Sequence, residues 1–251
     1  MRQIHRRKVV TNRSQPNRSQ ESFSRPIKTS ELRNERINRC LMRKIAQIHS
    51  MNLPISKRAL WVQKMFEFFQ NRFKAKQVSL DAISKDKELA ERILSFEIET
   101  EMKWFLNAMN KIVSKITFTH NDLNITNILI RDQFDCEDDK VLIIDYENCG
   151  YNYRGYDIGY FFRVKCFDEM DAYFKVMDIK TIPEVEQRVL IREYLQELKK
   201  LNNTIDPIVD NEEHLLKETN FFALLSDLIS IAFCLISMRE FNKIPLVNIC
   251  I

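Results

Sequence analysis

Glycine is nearly absent: the chain has three in 251 residues, Gly150, Gly155 and Gly159, all in one short stretch. Phosphate-cradling loops of the P-loop or dinucleotide type need several glycines in a strand-to-helix turn, so no such loop precedes residue 150. The six cysteines (Cys40, Cys136, Cys149, Cys166, Cys234 and Cys250) are scattered and form no C-x-x-C pair. That spacing argues against a zinc ribbon or a compact disulfide framework. No signal-peptide pattern opens the chain, and together these point to a reducing, cytoplasmic setting. Long uncharged apolar runs are missing as well. The nearest, FFALLSDLISIAFCLISM at 221–238, carries Asp227 inside it, and a carboxylate at mid-span is costly in lipid. The expectation is a core helix and no transmembrane segment.

What is present describes a globular body behind a basic tail. Hydrophobic residues make up 45% and charged residues 29%, the balance of an ordinary folded domain. Residues 1–44 hold 13 Lys/Arg against 3 acids, so the remainder of the chain is net acidic. The segment NRSQPNRSQ (12–20) repeats itself and has no apolar residue to fold around. Residues 1–21 are therefore expected to be a disordered tail and 22–251 the folded body. A basic arm can meet nucleic acid or an anionic membrane, but this one lacks the interleaved aromatics of a single-strand binder. No nucleic-acid partner is expected.

Periodicity divides the body. TSELRNERINRCLMRKIAQIHSM offers Thr29 or Ser30 as an N-cap and aligns Ile37, Leu41, Ile45 and Ile48 on one helical face, with Pro54 as its stop. A second helix is predicted over 59–73, with Trp61, Met65, Phe66 and Phe69. A third is predicted over 87–113, with Leu89, Ile93, Phe96 and Leu106. The aromatics of both read as core. The pattern then changes: ITFTH, NILIRD and KVLIID are short and rich in β-branched residues, which signals strands. DQFDCEDD (132–139) reads as an acidic hairpin turn. Helices return over 155–168, 183–200 and 212–238. The fold class is α+β, mostly helical, with a small β cluster in the middle.

That cluster carries the chemistry. FTHNDLNITNILI (118–130) sets His120, Asp122 and Asn127 between apolar runs, and KVLIID ends in Asp145. Phosphoryl transfer has a highly charged transition state, so catalysis is mostly positioning and electrostatic stabilisation. It needs a carboxylate to accept the substrate hydroxyl proton, which suits Asp122. Magnesium needs hard oxygen ligands, which Asn127 and Asp145 can supply from neighbouring elements. His120 reads as a brace for the loop rather than a proton carrier. A structural arrangement uses the same residues: Asp122 and Asn127 organise a loop, and Asp145 caps a helix.

THNDLNITNILI, LIIDYEN and YNYRGYDIG together resemble the catalytic segment of the choline/ethanolamine kinase family, within the kinase-like phosphotransferases. SRPIKTSEL and KIAQIHSMNLP resemble the family's stretch after the hinge between its lobes, so the likeness runs from about residue 22 to 240. It implies the carboxy-terminal lobe of a protein-kinase-like fold. It implies Asp122 as the base and Asn127 and Asp145 as ligands of magnesium and ATP. Glu147 is implied to support the metal waters or the substrate cation, and Arg154 and Asp157 to hold the catalytic loop and the following helix together; the structural reading of these two, preferred here, is a buried ion pair. The implied activity is phosphorylation of a small amino alcohol, choline or ethanolamine, feeding phospholipid synthesis, with dimerisation with a family member possible. Two features depart from the family. No Gly-rich lobe with a phosphate-binding Lys is found before His120, so the chain corresponds to a carboxy-terminal lobe, and a non-catalytic remnant acting by binding or dimerising stays open. The pocket is the second: an acid of the family aligns with Val164 and two tryptophans with Ser230 and Phe233. Tyr153, Tyr160 and Phe233 are then the candidates to rebuild a substrate pocket.

Overall fold

The computed structural model describes residues 24–75, 91, 95–132, 139–166, 182–201 and 205–241. A short strand β1 (Ser24–Pro26) leads into a 3-10 turn at Thr29–Arg33 and then helix α1 (Glu35–His49). Helix α2 (Trp61–Ala75) and helix α3 (Ile98–Met109) follow. Strands β2 (Ile116–Thr119), β3 (Ile128–Arg131), β4 (Val141–Ile143) and β5 (Gly150–Tyr153) come next, and then helices α4 (Arg154–Cys166), α5 (Glu184–Leu201) and α6 (Glu212–Phe241). The mostly helical α+β class expected from the pattern is what folds.

Asn34, rather than Thr29 or Ser30, caps α1: its Oδ1 accepts from the backbone N–H of Arg36 at 3.0 Å and of Ile37 at 3.4 Å. Asparagine is as good a cap as serine. The preceding residues are drawn into the 3-10 turn because Glu31 accepts the Lys28 N–H at 2.9 Å and a paired guanidinium contact from Arg25 at 2.7 Å. Ile37, Leu41, Ile45 and Ile48 are all buried, as their spacing predicts. The helix stops at His49, ahead of Pro54. The third helix ends at Met109 rather than Val113, and its predicted start at 87–90, with Leu89 and Ile93, lies outside the described residues. Most of the predicted 132–139 turn lies outside them too.

The strands form two antiparallel sheets: β1-β3-β4, and a ribbon of β2 with β5. In the ribbon Ile116 faces Tyr153 and Thr119 faces Gly150. β1 and β5 were not expected. One apolar core gathers α1, α4, α5 and the sheets. A second gathers α2, α3 and α6 around Tyr156 and Phe222. α4 and α6 approach so closely that a Cβ on Gly159 would meet the backbone N of Ala223 at 2.6 Å. Asp227 of α6 pairs with Arg163 of α4 at 2.6 Å. Among the described residues no helix is long and apolar enough to cross a membrane.

Candidate active site

Strand β2 delivers the chain to His120, which is fully buried. Its Nε2 sits 2.9 Å from the Ile144 carbonyl oxygen. With Nε2–H donating there, Nδ1 is left to accept the Asp122 N–H at 3.3 Å. The ring thus ties the loop to the end of β4 and is spent on bracing.

Asn121 then takes φ 65, a left-handed backbone that costs energy for a residue with a Cβ. Its side chain is held on three sides: Oδ1 accepts from Thr119 Oγ1 at 2.9 Å and Asn152 Nδ2 at 2.9 Å, and Nδ2 donates to the Asn148 carbonyl at 2.9 Å. The strained turn swings Asp122 outward, half-buried. Asn124 Nδ2 donates to its Oδ1 at 2.8 Å, and Asn127 Nδ2 donates to its Oδ2 at 3.2 Å and its carbonyl at 2.9 Å. Asp122 is thereby oriented by two neutral amides and keeps lone pairs for a hydroxyl proton.

β3 and β4 pair Ile128 with Ile143, and the Ile144 N–H reaches the Asn127 carbonyl at 3.0 Å. That contact sets Asp145 beside the Asn127 end of the loop. Asp145 is exposed, has φ 67, and makes no side-chain capping bond to the 3-10 turn Tyr146–Asn148 that follows. The capping role is therefore not the one its side chain performs. Glu147 is exposed on that turn. Cys149, just beyond, has its thiol pushed up to about 12, by burial first and then by the charges of Asp157, Asp145 and Asp122. At neutral pH it stays a protonated thiol and is no nucleophile.

Asn127 and Asp145 suit a hard cation. Both Asn127 amide bonds are made by Nδ2, which leaves Oδ1 as a free-facing acceptor, and the Asp145 carboxylate is uncommitted by capping. Among the described residues no group of three or more His, Cys, Asp or Glu could enclose a metal ion. An ion here would depend on phosphate and water oxygens for its other ligands, which is the habit of magnesium.

On its other side Asp122 forms part of the wall of a cavity of about 210 Å³. α2 contributes Trp61 and Met65, α4 contributes Tyr156 and Tyr160, and α6 contributes Ile229, Ser230 and Phe233, while Asn121 and Asn148 close the loop side. Trp61 leans on Tyr156 at 4.9 Å between ring centroids, and Tyr156 stacks on Tyr160 at 6.1 Å. Among the described residues Asp122 is the one carboxylate in this wall. The Ser230 hydroxyl donates back to the Ser226 carbonyl at 2.9 Å, so it offers the cavity no spare proton. Burial pushes the Tyr156 and Tyr160 hydroxyls up from their ordinary range.

Of the three predicted pocket residues, Tyr160 and Phe233 reach this cavity and Tyr153 does not. Tyr153 points the other way along β5 and stacks on Phe222 at 5.4 Å. The predicted Arg154–Asp157 pair is also corrected. Arg154 is fully buried and binds Asp210, just ahead of α6, and, at 3.2 Å, Glu218 of α6. Asp157 faces the loop: Oδ2 accepts the His120 N–H at 2.7 Å and Oδ1 the Asn121 N–H at 2.8 Å. Val164, where the family carries an acid, is packed in the core. Trp61, read as core, does pack against the second apolar core and also lines the cavity, as does Met65; helical spacing gave no hint of the second role. Tyr156 and Ile229 were missed for the same reason.

The family model described as choline/ethanolamine kinase matches residues 19–244. The choline/ethanolamine kinase of Rattus norvegicus is 30% identical over 207 residues, covering 81% of this chain and 51% of the relative. Choline kinase alpha of Mus musculus is 31% identical over 233 residues, covering 87% and 50%. The chain thus spans about half the length of the curated relatives it matches. The solved Plasmodium vivax ethanolamine kinase superposes with a TM-score of 0.60 at 17% identity, over 92% of this chain and 60% of that one, which speaks to the fold alone.

Proposed function

The chain belongs to the choline/ethanolamine kinase family, and from that premise we propose that its site phosphorylates a small amino alcohol, choline or ethanolamine, at the expense of ATP. The observation that carries the reading is the double position of Asp122. One side of it belongs to the wall of the aromatic cavity, and the other is bonded to Asn127, next to Asp145.

A substrate of that class has a cation at one end and a hydroxyl at the other. The cation lies against Trp61, Tyr156 and Tyr160, whose ring faces attract it, and the hydroxyl is left at Asp122. The carboxylate, steered by Asn124 and Asn127, accepts the hydroxyl proton as the oxygen attacks. Magnesium with ATP, when bound, supplies the transferable phosphoryl group and charge neutralisation; Asn127 and Asp145 are the residues that would hold it. His120 and Asp157 keep the loop rigid. This matters because a misplacement of about 1 Å can cost on the order of a hundredfold in rate. The product would enter phospholipid head-group synthesis in the cytoplasm.

The test has two arms. Calorimetric titration with magnesium and a non-hydrolysable ATP analogue should show binding that Asp145→Asn weakens. ADP release with choline or ethanolamine should fall by about a hundredfold or more in Asp122→Asn, the usual weight of a general base. Equal nucleotide binding by parent and Asp145→Asn would remove the metal assignment. Binding without any turnover would favour the non-catalytic alternative.

A further inference from the structure

Two hydroxyl groups in the aromatic cavity have no partner among the described residues. Tyr156 and Tyr160 stand four positions apart on α4, and their rings are only 20° from parallel. Neither phenol makes a hydrogen bond there, and neither hydroxyl oxygen is sealed off from open space. Tyr156 is 1% exposed, so the space its hydroxyl meets is the cavity it lines. Burial is the main reason both phenols stay protonated, and the Asp122 charge adds to it at each. The two hydroxyls are therefore within electrostatic reach of the carboxylate that meets the substrate alcohol.

A ring face attracts a cation with or without a hydroxyl, so phenylalanine would serve that purpose equally. A buried hydroxyl left unpaired is costly, and here its partner has to come from the ligand. Ser230 adds a third oxygen to the same wall. Its proton goes to the Ser226 carbonyl, so what it can offer the cavity is a lone pair. The phenol oxygens accept as well. The wall thus carries three neutral acceptors, Tyr156 Oη, Tyr160 Oη and Ser230 Oγ, facing an α2 side made of Trp61 and Met65.

Two carbons separate the nitrogen of such an amino alcohol from its hydroxyl, so the nitrogen stays within about 4 Å of the oxygen presented to Asp122. The cation therefore rests on the Asp122 side of the cavity, near the phenols. A primary ammonium brings three N–H donors to the three acceptors. A trimethylammonium brings none, and its methyl groups would cover the oxygens and strand them. A site whose polar groups need the ligand's hydrogen bonds rejects an analogue that lacks them.

We propose that Tyr156 and Tyr160 are specificity-determining residues, which select a primary ammonium alcohol, ethanolamine, over its N-methylated homologues. The proposal rests on the reading of this cavity as the amino-alcohol site, and it does not require that phosphoryl transfer occurs. Trp61 offers its ring face to either cation, so choline still binds, but more weakly.

The experiment titrates the full chain calorimetrically with ethanolamine, N-methylethanolamine, N,N-dimethylethanolamine and choline. The proteins are the parent, Tyr160→Phe and Tyr156→Phe, each variant keeping its ring and losing one oxygen. Tyr160 is less deeply buried than Tyr156, so Tyr160→Phe carries the test even where Tyr156→Phe fails to fold. In the parent, affinity should fall along the series, with ethanolamine about tenfold or more tighter than choline, the scale of one stranded hydroxyl. In Tyr160→Phe, ethanolamine should weaken by about tenfold while choline is unchanged or tighter. A loss of structure alone would weaken both. Choline binding the parent as tightly as ethanolamine, equal losses of the two in Tyr160→Phe, or no binding of any of the four overturns the proposal. ADP release is measured on the same proteins: the expected order of binding with no turnover would sink the kinase reading and leave the selectivity standing.

Discussion

Replacing Gly159 with alanine tests the close backbone contact between α4 and α6. The added Cβ would meet the Ala223 nitrogen at 2.6 Å, the Thr219 oxygen at 2.8 Å and the Phe222 carbonyl carbon at 2.9 Å, all backbone atoms of α6. None can rotate aside. Relief requires α4 and α6 to part until the contact reaches the ordinary range near 3.4 Å, and both helices are clamped by Arg154 and Arg163. Overpacking in a tight core costs roughly 1–3 kcal/mol, and immovable backbone puts this site at about 3. Alanine returns about 1 kcal/mol of helix propensity. The net loss is about 2 kcal/mol, or roughly 4–8 °C in melting temperature for a chain of this size. Circular dichroism at 222 nm through a thermal ramp measures it. Gly150→Ala is the control: nothing lies within 4 Å of its Cβ and its φ is not positive, so it should melt within about 0.5 kcal/mol of the parent. A Gly159→Ala protein as stable as the Gly150→Ala protein would refute the reasoning.

Arg154→Met should destabilise by about 3–5 kcal/mol in urea unfolding, because it strands Asp210 and Glu218 without their buried partner; a loss under about 1 kcal/mol contradicts that account. Hydrogen bonds from Arg25 are the main cause that lowers the Glu31 carboxyl from its ordinary value near 4.5 to about 2. A depressed carboxylate stabilises above its unfolded value and loses that stabilisation as pH falls toward its folded one. The gap in urea midpoint between parent and Arg25→Gln should therefore be full at pH 6 and shrink below about pH 4.5; a gap that widens in acid refutes it. Trp61→Leu should weaken choline binding by about two- to thirtyfold in calorimetry, the span of one cation–ring contact, and unchanged affinity would remove Trp61 from the cation site.

How legible each feature was depends on how far apart its parts lie in the chain. Helices with a sustained 3.6-residue pattern were readable because one buried face suffices to define them, as with Ile37, Leu41, Ile45 and Ile48. Strand β5 was not: Gly150–Tyr153 is glycine, tyrosine, asparagine and tyrosine, and it is extended because β2 pairs with it. The N-cap of α1 was misplaced because several residues in a row qualify and only the contacts of Glu31 decide among them. His120, Asp122, Asn127 and Asp145 could be seen since they fall within one run of loop and strand. The cavity could not, because Trp61, Tyr156 and Ile229 come from elements far apart whose aromatic spacing is that of any core-facing helix.

Helix α4 shows why stability and function divide so cleanly here. Arg154 and Asp157 are less than one turn apart and equally buried, yet their charges are met in different ways. Arg154 is balanced by opposite charges on Asp210, just ahead of α6, and on Glu218 within it, an arrangement whose loss is paid in unfolding free energy. Asp157 is balanced by hydrogen bonds from a histidine and two backbone amides, which fix direction as much as they stabilise. Tyr156 and Tyr160, on either side of Asp157 in sequence, then present their rings to the cavity. A displacement of α4 toward or away from α6 therefore moves the cavity wall and the loop anchor together. That coupling makes the glycine contact at Gly159 a constraint on the site as well as on the fold: the distance between the two helices sets how far the α6 wall, Ile229, Ser230 and Phe233, stands from Asp122.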